Sequence, residues 1–273
     1  DARRWFSVGS LKIQPSEFVK ISMIIINSAI VSSREFRVNN FIHLIFLGVV
    51  NIIPIGLIAL EPDLGTALIL VPAIAGIVFV SGLKWRWIFL AIILAVLFIP
   101  MIYPFLKDYQ KERIHVFLDP GRDPANRGWN AMQSQLAVGS GGISGKGFMQ
   151  GTQHTLGFLP KTVSGTDFIF SVIAEETGFI GTSIIVFMFI LLQYSIFRTA
   201  FIAKDDFGKY LAIGIASIFF VHSFVNIAMT MRLMPVKGLP LPLLSYGGSF
   251  LISSMACLGI LQSIYKNVHS TEE

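Results

Sequence analysis

Gly165-Thr-Asp-Phe-Ile-Phe-Ser-Val-Ile-Ala-Glu-Glu176 sets one carboxylate, Asp167, at the lip of an apolar run that continues to about residue 197. A run of that length crosses a bilayer as a helix, which takes about 20 residues. An ion at the edge of hydrocarbon costs several kcal/mol unless it is hydrated or paired, so such a charge usually has a use. The plainer reading is a helix cap, with Thr166 or Asp167 satisfying the first free amides of the helix that follows. The two readings are compatible.

The rest of the chain repeats the apolar theme. Of 273 residues, 53% are hydrophobic and 14% charged, and the mean hydropathy is +0.70, far outside the range of soluble domains. Strand-period alternation is absent, which argues against a barrel. The expected fold is all-α: a polytopic integral membrane helical bundle with spans at roughly 16–33, 40–60, 64–83, 86–106, 168–197, 209–232 and 248–266. The chain opens on Asp1 with no signal peptide or start-transfer helix before the first span, so N-terminal helices are expected to be missing from it.

Short-loop cations set the orientation. Arg34 and Arg37, Lys84 and Arg86, and Arg198, Lys204 and Lys209 fall on one side if the spans alternate. That side reads as cytoplasmic, with the C-terminus facing in and the 107–167 segment facing out. Arg3, Arg4 and Lys12 then lie outside against the bias, which suggests an anionic ligand there. The lone Cys257 lies inside the last span and forms no disulfide framework. The net charge of +5 is spread through loops with no basic helix face, so nucleic acid is not expected.

The 107–167 loop is too long for a connector. Trp129, Leu136, Phe148, Leu156, Phe158 and Leu159 are spaced to anchor it. Asp108-Tyr-Gln-Lys-Glu-Arg113 is expected on a helix leaving span four. Val138-Gly-Ser-Gly-Gly-Ile-Ser-Gly-Lys-Gly147 lacks P-loop spacing and follows no strand. It is either a flexible turn or a nest of bare amides that, with Lys146, holds an anion such as a pyrophosphate. Lys111, Arg113, Arg122, Arg127 and Lys161 lie in the same segment. The five histidines show no metal-ligand spacing, whereas a divalent ion held by carboxylate and phosphate oxygens is compatible with the composition.

Span one begins Gln14-Pro-Ser-Glu-Phe-Val-Lys20, placing Glu17 and Lys20 on one helix face at i, i+3. They form either an interfacial anchor or part of an outward-facing polar cavity. Asp63 and one of Glu175 and Glu176 can face the same cavity; neighbours on a helix point about 100° apart, so only one of the two turns inward. Residues 233–247 hold three prolines and two glycines in an apolar context, which excludes a regular span and fits a re-entrant element bordering a site.

Together these motifs resemble the SEDS family of peptidoglycan glycosyltransferases, which comprises the RodA, FtsW and SpoVE branches. The blocks that carry the resemblance are Arg3-Arg-Trp5, Gln14–Lys20, Pro62-Asp-Leu-Gly-Thr66, Gln133-Ser134 with Gly139-Ser-Gly-Gly142, Gly145-Lys-Gly147, Phe158-Leu-Pro160, Thr166–Phe170 with Glu175-Glu176, and Gly238-Leu-Pro-Leu-Pro242 with Ser245-Tyr-Gly-Gly248. Asp108-Tyr-Gln110 with Arg113, and residues 147–153, look more like the RodA branch. The family commonly has Glu where Lys161 stands, and a shorter approach to the Asp than Lys161–Gly165.

The resemblance implies ten transmembrane helices, the last seven held here in one membrane domain over 1–273, with 107–167 the large extracytoplasmic loop. It implies a lipid II polymerase of the bacterial inner membrane, acting in cell elongation with undecaprenyl pyrophosphate as leaving group. A class B penicillin-binding protein, the elongation machinery and membrane lipids are the implied partners. Its essential carboxylate falls on Asp167, as base or as ligand of a divalent cation (magnesium or manganese) on the pyrophosphate, and its intramembrane pair on Glu17 and Lys20. Arg4, Trp5, Asp63, Arg113, Gln133, Lys146, Gln153, Lys161, Glu175, Ser245 and Tyr246 are the further expected cavity or substrate residues. A lipid II flippase and a scaffold activating the penicillin-binding protein are the rival readings.

Overall fold

The computed structural model describes residues 5–8, 11–61, 64–123 and 127–269. In chain order its elements are strands β1 (Phe6–Val8) and β2 (Leu11–Ile13), then helices α1 (Pro15–Ser32), α2 (Phe41–Leu60), α3 (Leu64–Val80), α4 (Trp85–Ile102), α5 (Asp108–Leu118), α6 (Arg127–Ser140), α7 (Thr152–Thr155), α8 (Lys161–Ser164), α9 (Ile169–Ile202), α10 (Asp206–Thr230) and α11 (Gly248–His269). All seven apolar stretches are helical. Among the described residues α1, α2, α9, α10 and α11 are long and apolar enough to cross a membrane, while α3 and α4 offer the shorter apolar stretches Gly65–Val80 and Trp85–Phe98. The antiparallel β1–β2 hairpin, with Phe6 opposite Ile13, is an addition to the expected all-α fold. The fourth stretch stops at Ile102 rather than 106 and tightens into a 3-10 turn at Tyr103–Phe105, where Pro104 has no amide to extend the helix.

The chain forms two compact units. The first runs up to Leu83 and adds Phe189–His222 and the part from Tyr246; the second comprises Lys84–Met188 and Ser223–Ser245. In the first, Met23 of α1, Ile58 of α2, and Ala67 and Leu70 of α3 form one buried cluster. Gly214 of α10 lets that helix approach Ile24 and Ile77, against which a Cβ would collide. Across α1 and α2 the side-chain amides of Asn27 and Asn51 pair reciprocally at 2.8 and 2.7 Å. Each also donates to its own helix four residues back, to the carbonyls of Met23 and Leu47. Two polar side chains thus enter an apolar interior with their donors satisfied.

In the second unit α9 is broken at Gly178, whose backbone (φ 66°, ψ −162°) no side chain adopts comfortably. An unbroken helix would bond the amides of Phe179 and Ile180 to the carbonyls of Glu175 and Glu176. Here the 141–147 loop inserts between them. The amides of Lys146 and Gly147 donate to the carbonyls of Glu175 and Glu176, both at 3.0 Å, and those of Phe179 and Ile180 donate to the carbonyls of Gly142 and Ile143 at 2.8 and 3.1 Å. Two helical bonds are exchanged for four. Gly141, Gly145 and Gly178 are small because the backbones meet there: a Cβ on Gly141 would strike the Ala174 carbonyl, and one on Gly145 the Glu176 carbonyl. The glycine run therefore serves close backbone approach, with the amides of Lys146 and Gly147 already committed.

Asn27→Leu is expected to destabilise the protein by roughly 0.6–2 kcal/mol by stranding the Asn51 amide, and the Asn27→Leu/Asn51→Leu double variant to recover most of that loss. Thermal unfolding in detergent, read as a double-mutant cycle, measures both. Gly145→Ala, at φ 80° and against the Glu176 carbonyl, should cost more than about 2 kcal/mol by the same readout. Gly139→Ala, with open space around it, should be near neutral.

Candidate functional site

The first unit encloses a polar network. Glu17 Oε2 lies 2.8 Å from Lys20 Nζ, with the two residues 4% and 2% exposed. Ser253 Oγ donates to the same carboxylate oxygen at 3.1 Å. Lys20 Nζ is also 3.0 Å from His222 Nε2, and the Phe250 ring packs against both, its centroid 5.3 Å from Nζ and 4.8 Å from the imidazole centroid. An ammonium can only donate, so His222 Nε2 accepts and its proton sits on Nδ1. The pair is on one helix face, as the spacing predicts. It is neither an exposed interfacial anchor nor the lining of an open cavity; it is closed in by His222, Ser253 and Phe250. A buried pair with its remaining valences filled is how such charges persist in an apolar interior.

The second unit carries the more open arrangement. Asp167 follows the short α8 and precedes α9, between the buried side chains of Ser164, Phe168 and Phe170. It is half-buried. Burial pushes its carboxyl up to about 6, a shift opposed by a hydrogen bond from Thr166. The capping expectation is not met among the described residues: the Thr166 hydroxyl also reaches back to the Val163 carbonyl at 3.3 Å, and the α9 amides of Ser171 and Val172 bond the Phe168 carbonyl.

Two side chains fasten this approach to the proline-rich segment, which has no helix between α10 and α11. Asn226 Nδ2 on α10 donates to the carbonyls of Asp167, at 2.9 Å, and of Leu239, at 2.7 Å. Ser245 Oγ donates to the Thr166 carbonyl at 2.6 Å and accepts from the Leu241 amide at 2.7 Å. Gly238 faces the Asp167 carboxylate so closely that a Cβ would lie 3.2 Å from Oδ2. Next to it, Lys237 is held below the ordinary lysine range by burial and by the Arg113 guanidinium. Arg113 also lines a narrow cavity with Val116, Phe117, Ala131, Arg232, Met234 and Val236. The Asp167 carboxylate thus faces Gly238, whose chain neighbour Lys237 feels the Arg113 guanidinium.

The other expected residues divide. Glu175 is fully buried while Glu176 is half-exposed, so one of the two turns inward as expected. Glu175 accepts from Lys146 Nζ at 2.6 Å, from the Thr152 amide and hydroxyl at 2.8 and 2.9 Å, and from the Gln153 amide at 3.1 Å. Lys146 therefore neutralises a buried carboxylate instead of joining a pyrophosphate nest. Its place in that nest is corrected by the loop's pairing with α9. Gln133 is buried beside Ser134, whose hydroxyl meets Ser171 at 2.6 Å. Lys161, Trp5 and Tyr246 are exposed; Arg4 and Asp63 lie outside the described residues. Sequence reasoning missed Lys237, Asn226 and His222. Lys237 carried a usable signal, a cation inside the proline-rich stretch; the two helical residues carried none beyond polarity in a span.

The comparisons agree on kinship. The family model described as cell cycle protein, FtsW/RodA/SpoVE, matches residues 1–270. The chain is 42% identical over 265 residues to the peptidoglycan glycosyltransferase MrdB of Escherichia coli (strain K12), covering 97% of this chain and 71% of that protein. A solved chain from a peptidoglycan synthase complex that coordinates polymerization and crosslinking superposes with a TM-score of 0.83 at 31% identity, covering 98% of this chain and 74% of that one. The crystal structure of the rod shape determining protein RodA of Thermus thermophilus gives 0.67 at 26% identity, over 97% and 70%. With its several apolar helices, the chain is a multi-pass membrane protein. It belongs to the FtsW/RodA/SpoVE family.

Proposed function

We propose that this chain polymerises lipid II into glycan strands during cell elongation. It is a peptidoglycan glycosyltransferase, as its relatives are named. The observation that carries the residue assignment is the half-buried Asp167 carboxylate facing Gly238, with Lys237 next in the chain and Arg113 acting on Lys237. Glycosyl transfer here forms a bond from the acceptor's 4-hydroxyl oxygen to the donor's anomeric carbon. The bond from that carbon to the pyrophosphate breaks, and its electron pair leaves with undecaprenyl pyrophosphate. Asp167 takes the hydroxyl proton, a task its raised pKa suits near neutral pH. Lys237 and Arg113 offset the negative charge gathering on the leaving group.

Among the described residues no three His, Cys, Asp or Glu side chains gather to hold a metal ion. A divalent cation, magnesium or manganese, held by Asp167 would complete its shell with pyrophosphate oxygens and supply further charge neutralisation there. The charge bias of the loops supports an inner-membrane protein with a cytoplasmic C-terminus, one membrane domain, and the 107–167 segment with its site on the outer face. A class B penicillin-binding protein and the elongation machinery are the partners this reading assigns.

Polymerisation from lipid II, with the partner's cross-linking site blocked, tests the assignment. Asp167→Asn should lower the rate 10²–10⁴-fold, roughly the range for a lost general base, and Lys237→Gln at least about tenfold. Undiminished polymer from Asp167→Asn would remove the carboxylate from the mechanism, and lipid II movement across liposomes without polymer would favour transport. If Asp167 is the base, the wild-type rate should rise with pH and level off above about pH 6, with no dependence on chelator. The folded carboxyl binds its proton more tightly than the unfolded one, so its stabilising contribution is whole below about pH 4 and is lost as pH rises through about 6. Asp167→Asn should therefore be more stable than wild type at pH 7, by up to about 3 kcal/mol, measured by thermal unfolding.

A further inference from the structure

We infer that the loop from Gly142 to Met149 is a lipid-contacting element that inserts Ile143, Phe148 and Met149 into the outer border of the bilayer. The 34-residue α9 would be about 51 Å long if straight, well beyond the roughly 30 Å hydrocarbon core. Between Glu176 and Arg198 it carries no charged residue. That charge-free run is the part the bilayer can hold, and it matches the hydrocarbon thickness. Its border away from Arg198 falls at Gly178, where the helix breaks.

The loop is fastened at that border by backbone bonds: the Ile180 amide to the Ile143 carbonyl, the Phe179 amide to the Gly142 carbonyl, and the Gly147 amide to the Glu176 carbonyl. Its depth is therefore set by the span itself. Ile143, Phe148 and Met149 are 73%, 79% and 73% exposed. Each fully buried side chain of this kind is worth about 1.5–3 kcal/mol, so three left in water at the membrane edge would forgo a large stabilisation. Phe179, Ile180, Ile184 and Phe187 on the span are likewise exposed, so the loop's apolar side chains continue a surface that faces lipid. The loop's one charged side chain and several of its amides are withdrawn, leaving the exposed Ser144 hydroxyl as its remaining polar side chain. Lys146 is bound to Glu175, and the loop amides at 146 and 147 are paired. Met149 holds a left-handed backbone (φ 58°), a conformation costly for a side-chain residue and compatible with the inferred contact offsetting it.

Site-directed spin labelling of the full-length protein tests this in bilayers of phosphatidylethanolamine and phosphatidylglycerol, in a Cys257→Ala background. Labels at Met149→Cys and separately at Phe148→Cys should collide more with lipid-soluble oxygen than with a water-soluble nickel chelate. They should follow a reference label at Phe187→Cys on the span and differ from one at Glu112→Cys on α5. If both loop labels behave like the Glu112 label, the inference is overturned. If they are aqueous in the protein alone and become shielded only when the cross-linking partner is added, the surface is a protein interface and the lipid assignment is equally overturned.

Discussion

Hydrocarbon supplies no hydrogen bonds, so each backbone group released by a break in a spanning helix has to be matched inside the protein. The break at Gly178 releases two carbonyls and two amides, and the 141–147 loop returns two amides and two carbonyls to them. Much of the second unit follows from that exchange. Pinning Lys146 at the break brings its ammonium to Glu175. The Glu175 carboxylate then gathers the amides at the start of α7. Beyond α7 the chain is held by the Trp129 indole, which donates to the Phe158 carbonyl, and it enters α8 and Asp167 from there.

The spans were legible because hydropathy needs no partner: a stretch either is or is not apolar over a bilayer's width. The Glu17–Lys20 face was legible because helical spacing alone puts i and i+3 side by side. The role of the glycine run was not. Small residues are needed equally for an anion nest and for one backbone crossing another, and only the partner stretch of chain, 29 residues further on at Glu175 and Glu176, decides between them. The same applies to Asn27 with Asn51 and to Lys20 with His222, where each residue looks merely polar until its mate is known. Asp167 stood out because a carboxylate at an apolar border is conspicuous by itself, whereas Lys237, though a cation inside the proline-rich stretch, gained a connection to it only once Gly238 was seen to face the carboxylate.

The two polar clusters are built to opposite ends. Around Glu17 the charges are balanced, enclosed and given a full complement of partners, an arrangement suited to holding α1, α10 and α11 in one register. Around Asp167 the carboxylate is left half-buried and without an ion-pair partner among the described residues, and Lys237, next to the Gly238 that it faces, is disfavoured as an ion by burial and by Arg113. Unrelieved electrostatics of this kind are typical of groups that change their charge or bind one.

Asn226 grips the carbonyl of Asp167 from α10, downstream in sequence and independent of the chain that leads up to it. From the other side the amides of Thr166, Asp167 and Phe168 all converge on the Val163 carbonyl, and Ser164 between them is fully buried. The carboxylate is thus moored fore and aft, so a change of length between Val163 and Asp167 has nowhere to be absorbed. Lys161, exposed and ahead of both moorings, is free to exchange one charge for another, and drift there can tune what meets the chain from outside while Asp167 keeps its place.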